Sequence, residues 1–175
     1  MEAKSLSRNF YNFFMSEGKM PWFDSNGKSV PPYIIGIAGG SASGKTSVSQ
    51  RIIKQLGVPW VALICMDSFY KCLNPEEIEK AHRSEYNFDH PDSFDQELLY
   101  NTLSNVKKGN KVDIPVYDFT THSRLQETQQ MYGANVIIFE GIFALYDKRI
   151  CDLMDLKLFV DTDADVCLAR RCNNL

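Results

Sequence analysis

Gly39-Gly40-Ser41-Ala42-Ser43-Gly44-Lys45-Thr46 stands directly behind the apolar run Tyr33-Ile34-Ile35-Gly36-Ile37-Ala38. The spacing G-x-x-x-x-G-K-T describes a phosphate-binding loop, in which small residues let the backbone curl until successive N–H groups converge on phosphate oxygens. Lys45 adds a point charge for the β and γ phosphates, and the Thr46 hydroxyl can ligate Mg²⁺. A chance glycine loop would share the pattern but not the setting. Here a β-branched strand precedes it, and Val48, Ile52, Ile53 and Leu56 follow at helical spacing. Nucleotide contacts are therefore expected at Gly39, Gly40, Ser41, Ala42, Ser43, Gly44, Lys45, Thr46 and Ser47.

The chain has 175 residues, enough for one α/β domain with a sizeable core and too few for two ordinary ones. Residues 1–30 are expected to be an N-terminal arm and 31–175 the domain, with Pro31-Pro32 at its entry. Phe10, Tyr11, Phe13, Phe14, Trp22 and Phe23 make the arm aromatic, which suits either docking of rings on the domain or binding of a partner. Hydrophobic residues at 44%, charged residues at 23% and a net charge of -3 describe a globular protein with no need for nucleic acid or a membrane surface. Five cysteines without a C-x-x-C pair signal neither a disulfide framework nor zinc. Reduced thiols point to the cytoplasm, with the nucleus left open.

Outward from the loop, strands and helices alternate. Strands are expected at Tyr33–Ala38, Trp60–Met66, Val136–Phe139 and Leu156–Val160. Helices are expected at Lys45–Leu56 (ended by Gly57 and Pro59), after an Asn74 cap with Pro75 and Glu77, after a Ser93 cap, near Leu145–Leu153, and from Asp163 to Arg171. Pro115 confines Val112–Tyr117 to an edge strand or hairpin arm, and the polar stretch Asp118–Gln130 reads as a mobile loop. Such alternation implies parallel strands joined by right-handed crossovers, whose C-terminal ends share one rim where ligands bind. The loop, Asp67, Glu140 and Asp161 gather on that rim.

Mg²⁺ on a triphosphate needs hard oxygen ligands, so Thr46 with one strand-end carboxylate suffices. Glu140 is placed for this role, or for capping the following turn. Asp67 suits a general base for an attacking hydroxyl, or else a second metal ligand or helix cap. Asp161 is equally well read as a helix cap beside Thr162 and Asp163. Phe88, Asp89, Tyr117, His122 and Arg124 are candidates for the acceptor pocket, because flat rings can cover a planar base while Asp89 accepts from two hydroxyls. Tyr117 and His122 lie in a polar segment that offers an aromatic little core to fill.

Several stretches together resemble the uridine–cytidine kinase family: the loop, Met66-Asp67-Ser68-Phe69-Tyr70, Tyr86-Asn87-Phe88-Asp89-His90-Pro91-Asp92, Ile114-Pro115-Val116-Tyr117-Asp118-Phe119 with His122-Ser123-Arg124, Tyr132-Gly133-Ala134-Asn135, Phe139-Glu140-Gly141 and Phe159-Val160-Asp161-Thr162-Asp163. They follow the family's order across roughly residues 33 to 171. The Pro21-Trp22-Phe23 stretch is similar to that of the longer uridine kinase-like members. The resemblance implies a P-loop NTPase-type α/β fold, a parallel sheet with flanking helices, that phosphorylates uridine or cytidine at the 5′-hydroxyl with Mg²⁺ and ATP or GTP. It implies Asp67 as base, Asp89 on the ribose hydroxyls, and Tyr70, Phe88, Tyr117 and His122 around the pyrimidine, with His122 reading its polar edge. It places Thr46 and Glu140 toward the metal, where strand-end position alone also allows Asp67, and Arg171 near the phosphates with Lys45 of the loop. A homo-oligomer is implied for the complete family member.

The pattern departs from the family at the end. Cys167 stands for a common arginine, Asn174 for a lid arginine, and the family's lid and last strand do not follow Leu175. A form that binds nucleotide or a full-length partner without turnover is therefore the competing expectation. Asn110-Lys111-Val112-Asp113 matches the N-K-x-D of GTPases, but it follows Lys107-Lys108-Gly109 rather than a buried strand, with no D-x-x-G before it.

Overall fold

A computed structural model describes residue 26 and residues 30–57, 60–132 and 134–173. The expected arm lies almost wholly outside them, as do Pro59, Gly133, Asn174 and Leu175. In chain order the elements are β1 (Tyr33–Gly39), α1 (Lys45–Leu56), β2 (Val61–Cys65), α2 (Pro75–His82), α3 (Gln96–Lys107), β3 (Val112–Asp118), β4 (Ser123–Met131), β5 (Val136–Gly141), α4 (Lys148–Leu153), β6 (Leu156–Val160) and α5 (Ala164–Asn173). No helix among the described residues is long and apolar enough to cross a membrane.

Four strands form one parallel sheet in the order β2-β5-β1-β6. Its register sets Ile35 beside Ile138 and Ala38 beside Phe159, while Leu63 of β2 faces Ile138 from the other side. Strands buried on both faces need apolar residues at successive positions, which explains why β1 and β5 read as continuous rather than alternating runs. On one face Ile35, Ile37, Val61, Leu63 and Ile138 pack against Val48, Ile52 and Ile53 of α1. On the other, Ile34, Ile64 and Phe139 join Phe69, Phe94 and the α3 residues Leu99, Leu103 and Val106. Phe69, Phe94 and Phe139 are fully enclosed, each stabilising the fold by roughly 1.5–3 kcal/mol.

Local chemistry fixes the helix ends. Asn74 and Glu77 complete a reciprocal capping box ahead of α2, with Pro75 in its first turn. Gly57 ends α1 in the left-handed conformation that glycine adopts without steric cost. α3 starts later than expected: its cap is Asp95, whose carboxylate accepts from Leu98 N–H, whereas Ser93 closes a short 3₁₀ turn and donates to Asn87 O. α4 is likewise shorter, spanning Lys148–Leu153 behind an Asp147 cap.

The largest correction concerns 118–130, expected to be a mobile loop. Ser123–Met131 is instead β4, paired antiparallel with β3 from Val112↔Met131 to Asp118↔Ser123 and interrupted by a bulge between Pro115 and Tyr117. The strand is mostly exposed, so it lacks the apolar alternation that marks a half-buried strand. Main-chain pairing and its turn hold it. Asp118 accepts from Thr120 N–H and Thr121 Oγ1, and His122 adopts φ of 49°. This hairpin stands apart from the parallel sheet and carries Tyr117 and His122.

Candidate active site

The loop after β1 is built of backbone strain and close approach. Gly39, Ala42 and Gly44 have φ of 155°, 62° and 102°. A Cβ on Gly39 would stand 2.5 Å from Val160 O and 2.8 Å from Ser43 Oγ, whereas one on Gly40 would meet nothing within 4 Å. The first glycine is thus needed for packing on β6, and the second opens outward. Ser43 Oγ is buried without a hydrogen-bond partner among the described residues. Lys45 arches back so that its Nζ donates to Gly40 O at 2.8 Å. A cavity of about 700 Å³ is bordered by residues 42–48 and Arg170.

Acidic groups converge beside it. Thr46 Oγ1 donates to Glu140 Oε1 at 2.8 Å, joining the loop to the end of β5. Glu140 is buried, 5% exposed. Asp67 lies just past β2, in a 3₁₀ turn over Met66–Phe69 rather than at the strand's last residue. Burial pushes the Asp67 carboxyl above the usual carboxylate range; Lys45 opposes this, while Glu140 and Asp89 add to it. Burial likewise pulls the Lys45 ammonium down, against the attraction of Asp67 and Glu140. These four groups therefore share one field. Among the described residues, no three or more His, Cys, Asp or Glu side chains close into a metal cage. The donors fit a hard cation shared with phosphate: one hydroxyl and one carboxylate in contact, with open space beyond.

The acceptor side is made of rings. Tyr70 stacks on Phe94 at 4.2 Å and meets Tyr117 at 5.3 Å and Phe88 at 5.7 Å. Phe88 in turn stacks on His122 at 5.1 Å. Tyr117 Oη and His122 Nδ1 are both buried and unpartnered among the described residues. Two such groups in one aromatic wall suit a polar ligand, since a buried polar atom left alone costs about 1–3 kcal/mol. Burial, first of all, pushes the Tyr117 hydroxyl up to about 12, so it stays protonated and can donate. Asp89 is exposed and lies 3.7 Å from Arg171 Nη2. A second cavity of about 650 Å³ runs between Gly40, Ser41, Asp89, Phe143 and Arg171. Of the expected acceptor residues, Asp89 lines it, beside Gly40 and Ser41 of the phosphate loop.

Arg124, expected among the acceptor contacts, engages the protein through Nε and Nη2. It reaches Tyr70 O at 3.0 Å, Phe69 O at 3.4 Å and the Asp95 carboxylate at 3.2 Å. It ties the hairpin to the turn that carries Asp67 and Tyr70. Asp161 follows β6 and is exposed, and its neighbour Thr162 donates to Ser43 O at 2.9 Å. Arg170 Nη1 donates to Ala42 O and Ser43 O, both at 3.2 Å, so the outward carbonyls of the loop are held from α5. Sequence reading misses Arg170 and Thr162, because nothing in Arg170-Arg171 says which guanidinium faces which neighbour. It also misses Ser49, a fully buried hydroxyl in α1 against Glu140. A serine inside the apolar stripe of Val48, Ile52 and Ile53 is the available signal.

A sequence profile of the Phosphoribulokinase / Uridine kinase family matches residues 34–174. The chain is 53% identical over 167 residues to uridine-cytidine kinase-like 1 of Mus musculus, covering 95% of this chain and 30% of that protein. It is 51% identical over 155 residues to the uridine kinase of Schizosaccharomyces pombe, covering 86% and 34% respectively. The chain thus spans about a third of the length of these relatives. Among solved structures, one described as a possible uridine kinase from Bacillus stearothermophilus superposes with a TM-score of 0.57 at 22% identity, covering 82% of this chain and 78% of that one. That likeness concerns the fold.

Proposed function

The chain belongs to the phosphoribulokinase / uridine kinase family, and from this premise we propose that its rim serves transfer of a γ-phosphoryl group from a nucleoside triphosphate, ATP or GTP, to the 5′-hydroxyl of uridine or cytidine. The observation that carries the acceptor assignment is the aromatic wall of Tyr70, Phe88, Tyr117 and His122 with its two unpartnered polar atoms. A sugar phosphate alone has no flat face for such a wall, whereas a pyrimidine offers a π-face and a polar edge together.

In this reading the loop N–H groups from Gly39 to Ser47 and the Lys45 ammonium cradle the phosphates. Thr46 and Glu140 would hold Mg²⁺, which would supply positive charge to the triphosphate. Asp89 takes the ribose hydroxyls, and Tyr70, Phe88, Tyr117 and His122 surround the base, with His122 reading its polar edge. The Asp67 carboxylate accepts the 5′-hydroxyl proton as the oxygen attacks, and its raised proton affinity makes it a better base than a solvated aspartate. Arg171, which lines the same cavity as Gly40 and Ser41, would serve the phosphates.

Incubation of the 175-residue chain with labelled ATP, Mg²⁺ and separately uridine, cytidine or ribulose 5-phosphate tests the proposal. Label is expected in the two nucleosides; transfer to the sugar phosphate alone would overturn the acceptor assignment. Saturable binding of both nucleoside and nucleotide without transfer would favour a binding role over turnover.

A further inference from the structure

Glu140 is addressed from α1 at both carboxylate oxygens. Thr46 Oγ1 donates to Oε1, and Ser49 Oγ donates to Oε2. Ser49 is completely enclosed, and its oxygen also lies 3.0 Å from Lys45 O. Cys65 Sγ makes a longer contact of 3.7 Å, again with Oε1. Among the described residues, the side-chain donor seen at Oε2 is Ser49. Thr46 and Ser49 are three apart on one helix, so they share a face and can grip one carboxylate together.

The phosphate-loop pattern ends at Thr46 and asks nothing of position 49. We propose that Ser49 is a positioning residue for the metal site: by holding Oε2 it fixes the carboxylate plane of Glu140 so that Oε1 is presented beside Thr46. The inference rests on the proposed reading of Thr46 and Glu140 as metal-holding residues. The physical reason lies in the terminal torsion of a glutamate, which is broad and two-fold, so a carboxylate held at one oxygen can swing. A second anchor on the far oxygen removes that freedom. Thr46 does not supply it, because its one hydroxyl proton goes to Oε1, and the contact of Cys65 is with that same oxygen. Groups behind metal ligands commonly matter in this way: replacing them costs about 10–100-fold in metal affinity or activity.

The test compares ATP affinity of the 175-residue chain by calorimetry in Mg²⁺ and in EDTA. The ratio of the two affinities isolates the metal from the loop. Ser49→Ala is expected to cut that ratio by about tenfold while leaving the EDTA affinity at the wild-type value. Ser49→Cys, which keeps a weaker donor, should recover part of it. Alanine is the better helix former, and circular dichroism of both variants checks that α1 is intact. Equal losses with and without Mg²⁺ would mean that Ser49 merely supports the helix, and the inference falls. A wild-type ratio preserved in Ser49→Ala overturns the inference alone. A wild type indifferent to Mg²⁺ overturns the metal reading with it.

Discussion

The two ends of the rim are built on opposite principles. At the phosphate end, backbone supplies the binding groups: Gly39, Ala42 and Gly44 sit at positive φ, and the loop's carbonyls are pinned by Arg170 and Thr162. At the acceptor end, side chains supply them. Tyr70, Phe88, Tyr117 and His122 come from a 3₁₀ turn, a loop and a two-stranded hairpin that shares no strand with the parallel sheet. A backbone nest recognises any phosphate, because the N–H groups do not vary with sequence. A side-chain wall recognises one class of ligand and can change without disturbing the sheet. On the proposed reading, the donor site of this chain is thus generic and the acceptor site particular.

The same difference governs how much of each end is legible in the amino-acid sequence. The phosphate loop is legible because steric rules tie glycine to those backbone positions, and the continuous apolar runs of β1 and β5 announce a buried parallel sheet. Asp67 and Glu140 follow from topology, since strand ends gather on one rim. The hairpin is not legible. β4 holds Gln126, Gln129 and Gln130 and exposes most of its length, so its stability comes from pairing with β3, which a local pattern does not record. The anchoring role of Arg124 is illegible for a related reason. A guanidinium in a polar segment looks available for ligand, and only the fold shows the carbonyls of Phe69 and Tyr70 beside it.

The contrast between the ends is most exposed at the group that stands between them. Asp67→Asn should lower turnover by about 10²–10⁴-fold while ATP affinity holds; unchanged turnover would remove Asp67 from the chemistry. The same variant tests the burial of its charge. A carboxyl whose proton affinity is raised on folding contributes stability below its unfolded pKa and loses it as pH rises through the folded value. At pH 7 Asp67→Asn should therefore melt higher than wild type, and the gap should close as pH falls below the ordinary aspartate range.

Next in size is Gly39→Ala. Its methyl meets Val160 O and Ser43 Oγ at a positive φ, an overpacking cost of about 1–3 kcal/mol. Thermal melts should show that loss, and calorimetry should show nucleotide affinity falling with nucleoside affinity spared. Loss of both together would mean that the two ends are not separable.

His122→Ala should do the converse, weakening nucleoside binding by about 0.5–1.5 kcal/mol, the net worth of one hydrogen bond, and leaving ATP unchanged. The smallest effect belongs to neither end. Asp155 is a control: it accepts from Ile34 N–H at 2.8 Å and from Lys107 Nζ. Burial works against its charge, but these bonds outweigh it and hold the carboxyl below its usual range. Asp155→Asn should cost under about 1 kcal/mol given its partial exposure. The cost should be present above the ordinary aspartate pKa and vanish as pH falls through the lowered folded value. Calorimetry of either ligand should not register the change.

A generic donor site beside a particular acceptor site is tested most directly by isothermal titration of uridine into the chain, with and without saturating Mg²⁺ and nucleoside diphosphate, repeated with His122→Ala and Gly39→Ala. Uridine should bind saturably, His122→Ala should weaken that binding, and Gly39→Ala should leave it intact in the absence of nucleotide. A chain that takes no uridine or cytidine, or whose uridine affinity ignores His122 and follows Gly39, would contradict that division of the rim.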